Sequence, residues 1–561
     1  MDKWDRQTNI HPVKQPQVGA AGLALAAVLA LCVLAPPDVR GAGLAAVALF
    51  VAVAVVATSG SAAASPASRL IFVAIPLALF AARAGLAPGE AVESAACLFL
   101  AAFAGTAAMA AAFDVERLAW LYGLLVSLAG GRALYEVGWG LAAWADRVRA
   151  SVPSGDAAAI LNRLEQGRPY AGFMTPAALG CLLAMTIPAV AAWALGKRGR
   201  PRLAGFAAVA IGAGGLVASR SVSAMAALCA AIALAALRGR VAPRLVAIAV
   251  PAIGFAVIVV GILRPDAVFA PGREESPWRL RAGNVRIGLE IARDHPLTGV
   301  GPGGYAEAFP QYRRPGDNES RHAHDLPAEL IAEWGVPVGF LFSALFFWLF
   351  LSPVFWKSGD PRTLSSGLAI GLAAFALHNL VDFTAFLPSL LVLAAVTRGF
   401  IAATPAPARA ILPVRAAWVG LALAIASICA LSGFARDALF DAGELAAAGD
   451  HAAVLSLALR AERLAPWDAN PPMLAAEARL AAAATDPAAA APDAERAVLL
   501  APARASARWL RARVRTASGD ATGAYADMVE AKRLYPMRKE YAAEASALAD
   551  ALRQASAAAP R

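Results

Sequence analysis

Residues 172–195 read GFMTPAALGCLLAMTIPAVAAWAL, and residues 196–202 read GKRGRPR. The first stretch carries no charge and is long enough to cross a hydrocarbon core, which takes about 20 residues of helix. Lys197, Arg198, Arg200 and Arg202 then stop it, and a second apolar run begins at 203. The same alternation recurs over the N-terminal three quarters of the chain, at 18–36, 41–58, 69–87, 91–112, 117–134, 172–195, 203–219, 221–237, 245–263, 335–356, 364–381, 386–398 and 416–433. This reads as a polytopic, all-α transmembrane bundle of about 12–13 spans. Hydrophobic residues make up 59% of the 561 positions and charged residues 16%, with a mean hydropathy of +0.58. A string of soluble domains is therefore excluded.

The formal net charge of +10 would suggest nucleic acid in a soluble protein. Here the basic residues fall largely in short connections between spans, where they set topology. One set comprises Lys3, Arg6 and Lys14 before the first span, Lys197 to Arg202, Arg238/Arg240/Arg244, Lys357/Arg362, and Arg398/Arg409/Arg415. The positive-inside rule makes these cytoplasmic, with the first span as an uncleaved signal-anchor of an inner-membrane protein. The alternating connections then face the periplasm: 135–170, the turn near Arg220, the loop 265–334, the turn from His378 to Phe383, and the C-terminal tail. The loop carries eight arginines, but long loops translocate despite their charge. The stretch 135–150, with Tyr135, Trp139 and Trp144, is compatible with an interfacial amphipathic helix. All five cysteines lie in apolar runs without C-x-x-C spacing, which supports neither a metal site nor a disulfide framework.

From residue 436 to 561 the composition changes to Ala and Leu interleaved with Arg, Asp and Glu. Asp450, Asp486 and Asp520 are each followed sixteen residues later by a proline, Pro466, Pro502 and Pro536. The step is close to the 34 residues of a tetratricopeptide helix pair. Small polar turns (Gly449-Asp450, Thr485-Asp486, Gly519-Asp520) separate the helices of each unit, and the proline ends the second. The tail reads as an α-solenoid that binds a protein partner in its groove, or as a cap packed on the membrane domain of residues 1–435.

Chemistry concentrates in loop 265–334. It holds Arg281, the run PLTGVGPG at 296–303, Arg313 and Arg314, then Arg321-His322-Ala323-His324-Asp325 and Glu333-Trp334-Gly335. The glycine/proline run lacks the strand, helix and lysine of a nucleotide-binding loop and reads as an ordered turn. His322-x-His324 lacks a third ligand at helical spacing, so no metal is assigned.

These residues resemble the O-antigen ligase and O-antigen polymerase family over about 167–388. His324-Asp325, nine residues and Gly335 match its ligase motif, and PLTGVGPG matches a recurring family sequence. Arg281 stands where the family has an essential loop arginine. Ser219-Arg220-Ser221 is similar to a Ser-Arg motif at a span end, and His378-Asn379-Leu380-Val381-Asp382 to a late His-x-x-x-Asp segment. Asp325 replaces the family's usual Asn, Ser or Gln, and Val338 stands where Gly, Thr or Tyr is usual.

The resemblance implies a GT-C-like, metal-independent glycosyltransferase without a cofactor. Its donor would be a glycan on undecaprenyl pyrophosphate at the periplasmic face, and its acceptor a glycan, lipid A-core or a protein hydroxyl. His324 and Arg281 are then the expected catalytic residues, and Arg220, Arg321, His378 and Asp382 the expected substrate-binding ones. His322 is expected to be structural. Within the family, ligase, polymerase and O-linked protein oligosaccharyltransferase stay open. A transporter or flippase is the reading from another class, but it calls for ionisable groups at mid-membrane depth and related halves.

Overall fold

The computed structural model describes residues 19–36, 41–65, 88–111, 113–151, 154–239, 276–355, 362–402, 410–482 and 487–558, with isolated positions between them. The expected spans at 69–87 and 245–263 lie largely outside the described residues. So do Lys3, Arg6, Lys14, Arg240, Arg244, Lys357, Arg409, Thr485 and Asp486. Among the described residues every regular element is helical.

The first helices are α1 (Ala20–Leu34), α2 (Gly41–Ala62), α3 (Pro88–Ala110), α4 (Val115–Tyr135), α5 (Leu141–Ser151) and α6 (Ser154–Glu165). Next come α7 (Pro176–Leu195), α8 (Arg200–Ala218), α9 (Val222–Leu237), α10 (Pro277–Asp294) and the short α11 (Tyr305–Ala308). The bundle is completed by α12 (Leu326–Phe355), α13 (Leu364–His378), α14 (Pro388–Ile401) and α15 (Leu412–Ala447).

Among the described residues seven helices are long and apolar enough to cross a membrane: α2, α3, α4 continued by α5, α7, α8, α12 and α15. The chain is therefore a multi-pass membrane protein. Four more expected spans, α1, α9, α13 and α14, are apolar but 10–17 residues long. Hydropathy counts apolar side chains without regard to backbone geometry. Leu380 and Val381 extend the pattern past His378, yet they lie in an irregular turn.

Residues 135–150 depart from the interfacial-helix expectation. The helix continues from Val115 to Ala150, through a π-helical turn at Glu136–Gly140. There the Glu136 carboxylate accepts bonds from Tyr170 N (2.7 Å) and Ala171 N (2.8 Å). The extra residue of a π turn re-aims the side chains that follow it, and here Glu136 is the anchor for loop 166–175.

Small residues let the spans approach closely. A Cβ on Gly371 of α13 would sit 1.8 Å from the Met185 carbonyl of α7, and one on Gly433 of α15 would sit 2.3 Å from the Gly41 carbonyl. The two ends of the bundle carry different polar contacts. At one end Lys197 pairs with Glu116, Arg415 Nε donates to Ser59 (2.7 Å), and Ala410 N donates to Gly60 O (2.9 Å). At the other end Asp437 accepts from Gly41 N and Ala42 N (2.8 and 2.7 Å), and the chain between α10 and α12 gathers there.

Helix α12 is broken at Gly335 (φ 74°, ψ 164°), two residues before Pro337. The break frees backbone groups that a membrane-edge site must satisfy. The PLTGVGPG segment takes them: Val300 N donates to Ala332 O (3.0 Å), Gly301 N to Glu333 O (2.9 Å), and Val336 N to Pro296 O (2.8 Å). The approach needs glycine, since a Cβ on Gly299 would lie 2.3 Å from the Glu333 carbonyl.

Helix α15 runs unbroken for 36 residues, out of the bundle and into the C-terminal array. The array continues as α16 (His451–Leu464), α17 (Asn470–Ala482), α18 (Ala491–Leu500), α19 (Ala505–Ala517), α20 (Ala521–Leu534) and α21 (Lys539–Ala558). Asp450 and Asp520 cap α16 and α20 through Ala453 N (3.0 Å) and Gly523 N (2.8 Å). Alanines such as Ala458, Ala476, Ala497 and Ala524 are fully buried between helices.

Candidate functional site

Three turns that are far apart in sequence meet at the end of the bundle opposite the basic connections. The first follows α8. Its last residues leave Arg220 at φ 51°, a left-handed position that glycine usually takes. Arg220 Nη1 donates to Gln166 O (2.9 Å), and Arg168 Nε donates to Ser219 O (3.0 Å), so loop 166–175 is laid over the helix end. Ser221 caps α9 through Ala224 N (3.4 Å).

The second contributor is the loop. Arg281 projects from the second turn of α10, with its guanidinium 5.8 Å from the Trp278 ring centroid. His324 sits at φ 56° immediately before α12. Asp325 caps that helix, accepting from Ala328 N at 2.8 Å, and burial raises its carboxyl pKa. Asn or Ser fills an N-cap equally well. Gly339 supplies the close approach across the kink that Val338 does not. A Cβ there would lie 2.4 Å from Leu330 O.

The third is the turn after α13. Asp382 is 1% exposed and is the centre of the group. Its Oδ2 accepts from Arg281 Nη2 (3.1 Å) and its Oδ1 from Phe383 N (2.9 Å). His324 Nδ1 lies 3.7 Å from Oδ1 and His378 Nε2 3.9 Å from Oδ2, both beyond hydrogen-bond length. Burial pushes the Asp382 carboxyl pKa up, but His324, His378 and Arg281 outweigh it and hold the group below the usual carboxylate range. His378 is fully buried behind Asp382, between Ser223 Oγ and Thr384 Oγ1 (3.1 Å each).

These turns enclose a cavity of about 360 Å³ lined by Arg163, Gln166, Arg168, Tyr170, Arg220, Ser223, Trp278, Arg281, His324 and Asp382 among others. Four guanidinium groups face one carboxylate and one imidazole, so the space suits a ligand with more than one negative charge. Among the described residues three non-glycine residues adopt positive φ: Ala171, Arg220 and His324. Two line the cavity and the third belongs to the loop over it. Strained backbone of this kind costs about 1–3 kcal/mol per residue and gathers where function holds it.

Of the residues singled out in the sequence, Arg220, Arg281, His324 and Asp382 come together on the cavity, and His378 stands behind them. Arg321 does not join them. Its side chain is 77% exposed and lies 3.5 Å from Glu90. His322 stacks on Phe383 (4.5 Å between centroids, 7° between planes), with Nδ1 2.7 Å from Glu329. The two imidazoles of His-x-His thus face different carboxylates, and no group of three metal-ligating side chains occurs among the described residues.

Sequence reading missed Arg163, Arg168, Tyr170 and Trp278. Arg168 lies next to Gly167 and near Gly172, both at positive φ, and that glycine bracketing was the signal available for an ordered loop. No curated protein matches the chain. Residues 206–343, which carry Arg220, Arg281 and His324, match the O-antigen ligase family, and that domain supports a role for this membrane protein in glycan transfer during polysaccharide assembly.

Proposed function

We propose that the chain transfers a glycan from an undecaprenyl-pyrophosphate-linked donor to an acceptor at the periplasmic face of the inner membrane, as an O-antigen ligase or polymerase. The observation that carries this reading is the convergence of Arg220, Arg281, His324 and Asp382 on one cavity. Transfer breaks the bond between the anomeric carbon and a pyrophosphate oxygen and forms one to the acceptor oxygen. Negative charge builds on the departing undecaprenyl pyrophosphate, and Arg220 and Arg281 stabilise it without a metal, since guanidinium stays charged and grips phosphate oxygens as a fork.

The acceptor hydroxyl loses its proton as it attacks, and His324 takes it. Asp382 beside Nδ1 favours the tautomer that carries a proton there, leaving Nε2 as the basic nitrogen. The same carboxylate holds one arm of Arg281 and leaves its other donors for the substrate. His378 and the serines behind it fix the Asp382 turn.

The charge pattern of the connections orients this end towards the periplasm. The C-terminal helices are read as tetratricopeptide-like repeats on that side, which favours a polymer-assembly role with protein partners. Glycan profiling of a deletion strain tests the reading. Loss of polymer indicates a polymerase, polymer left on its lipid carrier indicates a ligase, and unchanged surface glycan and glycoprotein would overturn the proposal. An alkaline phosphatase fusion after Ala435 tests the orientation, with activity expected.

A further inference from the structure

One group of part-buried charges has no part in the transfer just described. Arg504 follows Pro502 in a turn of the array and its side chain is 12% exposed. Its Nε donates to Glu307 Oε1 (2.7 Å), Nη2 to Glu307 and to Glu90 Oε1 (2.5 Å), and Nη1 to Asn470 Oδ1 (3.0 Å). Glu307 is on α11 in the loop, and Glu90 is in the first turn of α3. One guanidinium therefore ties together the array, the loop and the membrane bundle.

The equivalent turns on either side each touch one of these parts. Before it, the Trp467 carbonyl lies 1.9 Å from where a Cβ on Gly89 would stand. After it, Tyr535 accepts a bond from Arg313 and donates one to Glu319. Three successive proline-bearing turns thus rest on the membrane domain, and two of them grip the loop. From the loop the contacts run to the helix of Arg281. Tyr305, at the start of α11, donates its hydroxyl to Asn284 O (2.9 Å) on α10. Arg313 donates to Asp317 O (3.0 Å), and Arg286 of α10 donates to Asp317 Oδ2 (2.5 Å). An ion-pair network removed from water is weak evidence for stability, and fixing geometry is one use such networks have.

We propose that the C-terminal array is an intramolecular brace for the transfer site, in which Arg504 is a positioning residue that sets Arg281 through Glu307, Tyr305 and Asn284. This inference rests on the reading of the cavity as a pyrophosphate site. The test uses full-length protein in lipid nanodiscs with inorganic pyrophosphate as the probe and calorimetry as the readout. Wild type binds, and Arg220→Ala and Arg281→Ala each bind more weakly. Arg504→Ala, which touches no part of the cavity, is expected to weaken binding about fivefold to tenfold, the size of coupling carried through a packed network.

In an Arg281→Ala background the same change should add nothing, and Arg504→Lys should recover part of the loss. Should Arg504→Ala not be recovered folded, Tyr535→Phe removes the neighbouring grip and is expected to give a smaller, equally Arg281-dependent loss. Unchanged binding, or the same loss in both backgrounds, overturns the brace. Wild-type protein that fails to bind, or binds without regard to Arg220 and Arg281, overturns the pyrophosphate reading itself, and the brace with it.

Discussion

Helix α8 in the membrane bundle and helices α15 and α19 at the array end on the same backbone but on different residues. Each closes with a residue in the left-handed region. Gly449 (φ 79°) follows α15, Gly519 (φ 86°) follows α19, and Arg220 (φ 51°) follows α8. The bonds are alike: Gly449 N donates to Ala446 O, Gly519 N to Thr516 O, and Arg220 N to Val217 O, at 3.0–3.1 Å. Glycine is the residue this position ordinarily selects. In the array the position carries glycine, whereas after α8 it carries Arg220, whose side chain lines the cavity.

The comparison can be broken most directly at the cavity. His324→Ala is expected to slow transfer by roughly 10²–10⁴-fold if His324 takes the acceptor proton. Arg281→Lys, which keeps the charge and loses the fork, is expected to cost roughly 10²-fold. Both are read by in-vitro transfer from purified lipid-linked donor, with protein matched by immunoblot. Near-normal turnover in both variants would remove the assignment, and His322→Ala should be milder than either.

The next test exchanges the residues of the comparison. Arg220→Gly is expected to lower transfer by roughly 10²-fold while raising the thermal midpoint, since it relieves a left-handed strain of about 1 kcal/mol. Gly519→Ala is the mirror case. Open space surrounds its Cβ position, so only the backbone conformation is penalised. The array should lose about 1 kcal/mol, with transfer by the folded protein little changed. A stabilised and fully active Arg220→Gly would end the distinction between the two turns.

Two smaller effects sharpen it. Asp382 has a depressed pKa when folded, so its stabilisation is present above its unfolded value, about 3.9, and is lost as pH falls through the lower folded value. Asp382→Asn should therefore be less stable than wild type at neutral pH, with the gap closing only below about pH 4 in a melting series. A gap unchanged down to pH 2 would show that the charge is not what Asp382 contributes. Arg321→Ala should change transfer by less than about twofold, because a pair this exposed contributes little.

Much of the architecture was legible before any coordinates. Lys197 to Arg202 lie between two apolar runs that form helices, and the chain from residue 436 on is helical where it is described. Arg220, Arg281 and His324, singled out as motif residues, line one cavity. Span ends were not legible, because Leu380 and Val381 look like membrane helix while their backbone belongs to the turn that carries Asp382.

The sequence by itself determined which stretches are apolar and which connections between them are basic, since hydropathy and charge vary along the chain. It carries no record of the rotation of each helix about its axis. Only packing decided that Arg163 and Arg168 join the cavity, that Arg321 turns away to Glu90, that His378 stands behind Asp382, and that Arg504 of the array reaches Glu307. Those placements follow from close approaches such as Gly371 on Met185 and from the backbone bonds between the 296–301 segment and the broken α12, which join residues distant in the chain.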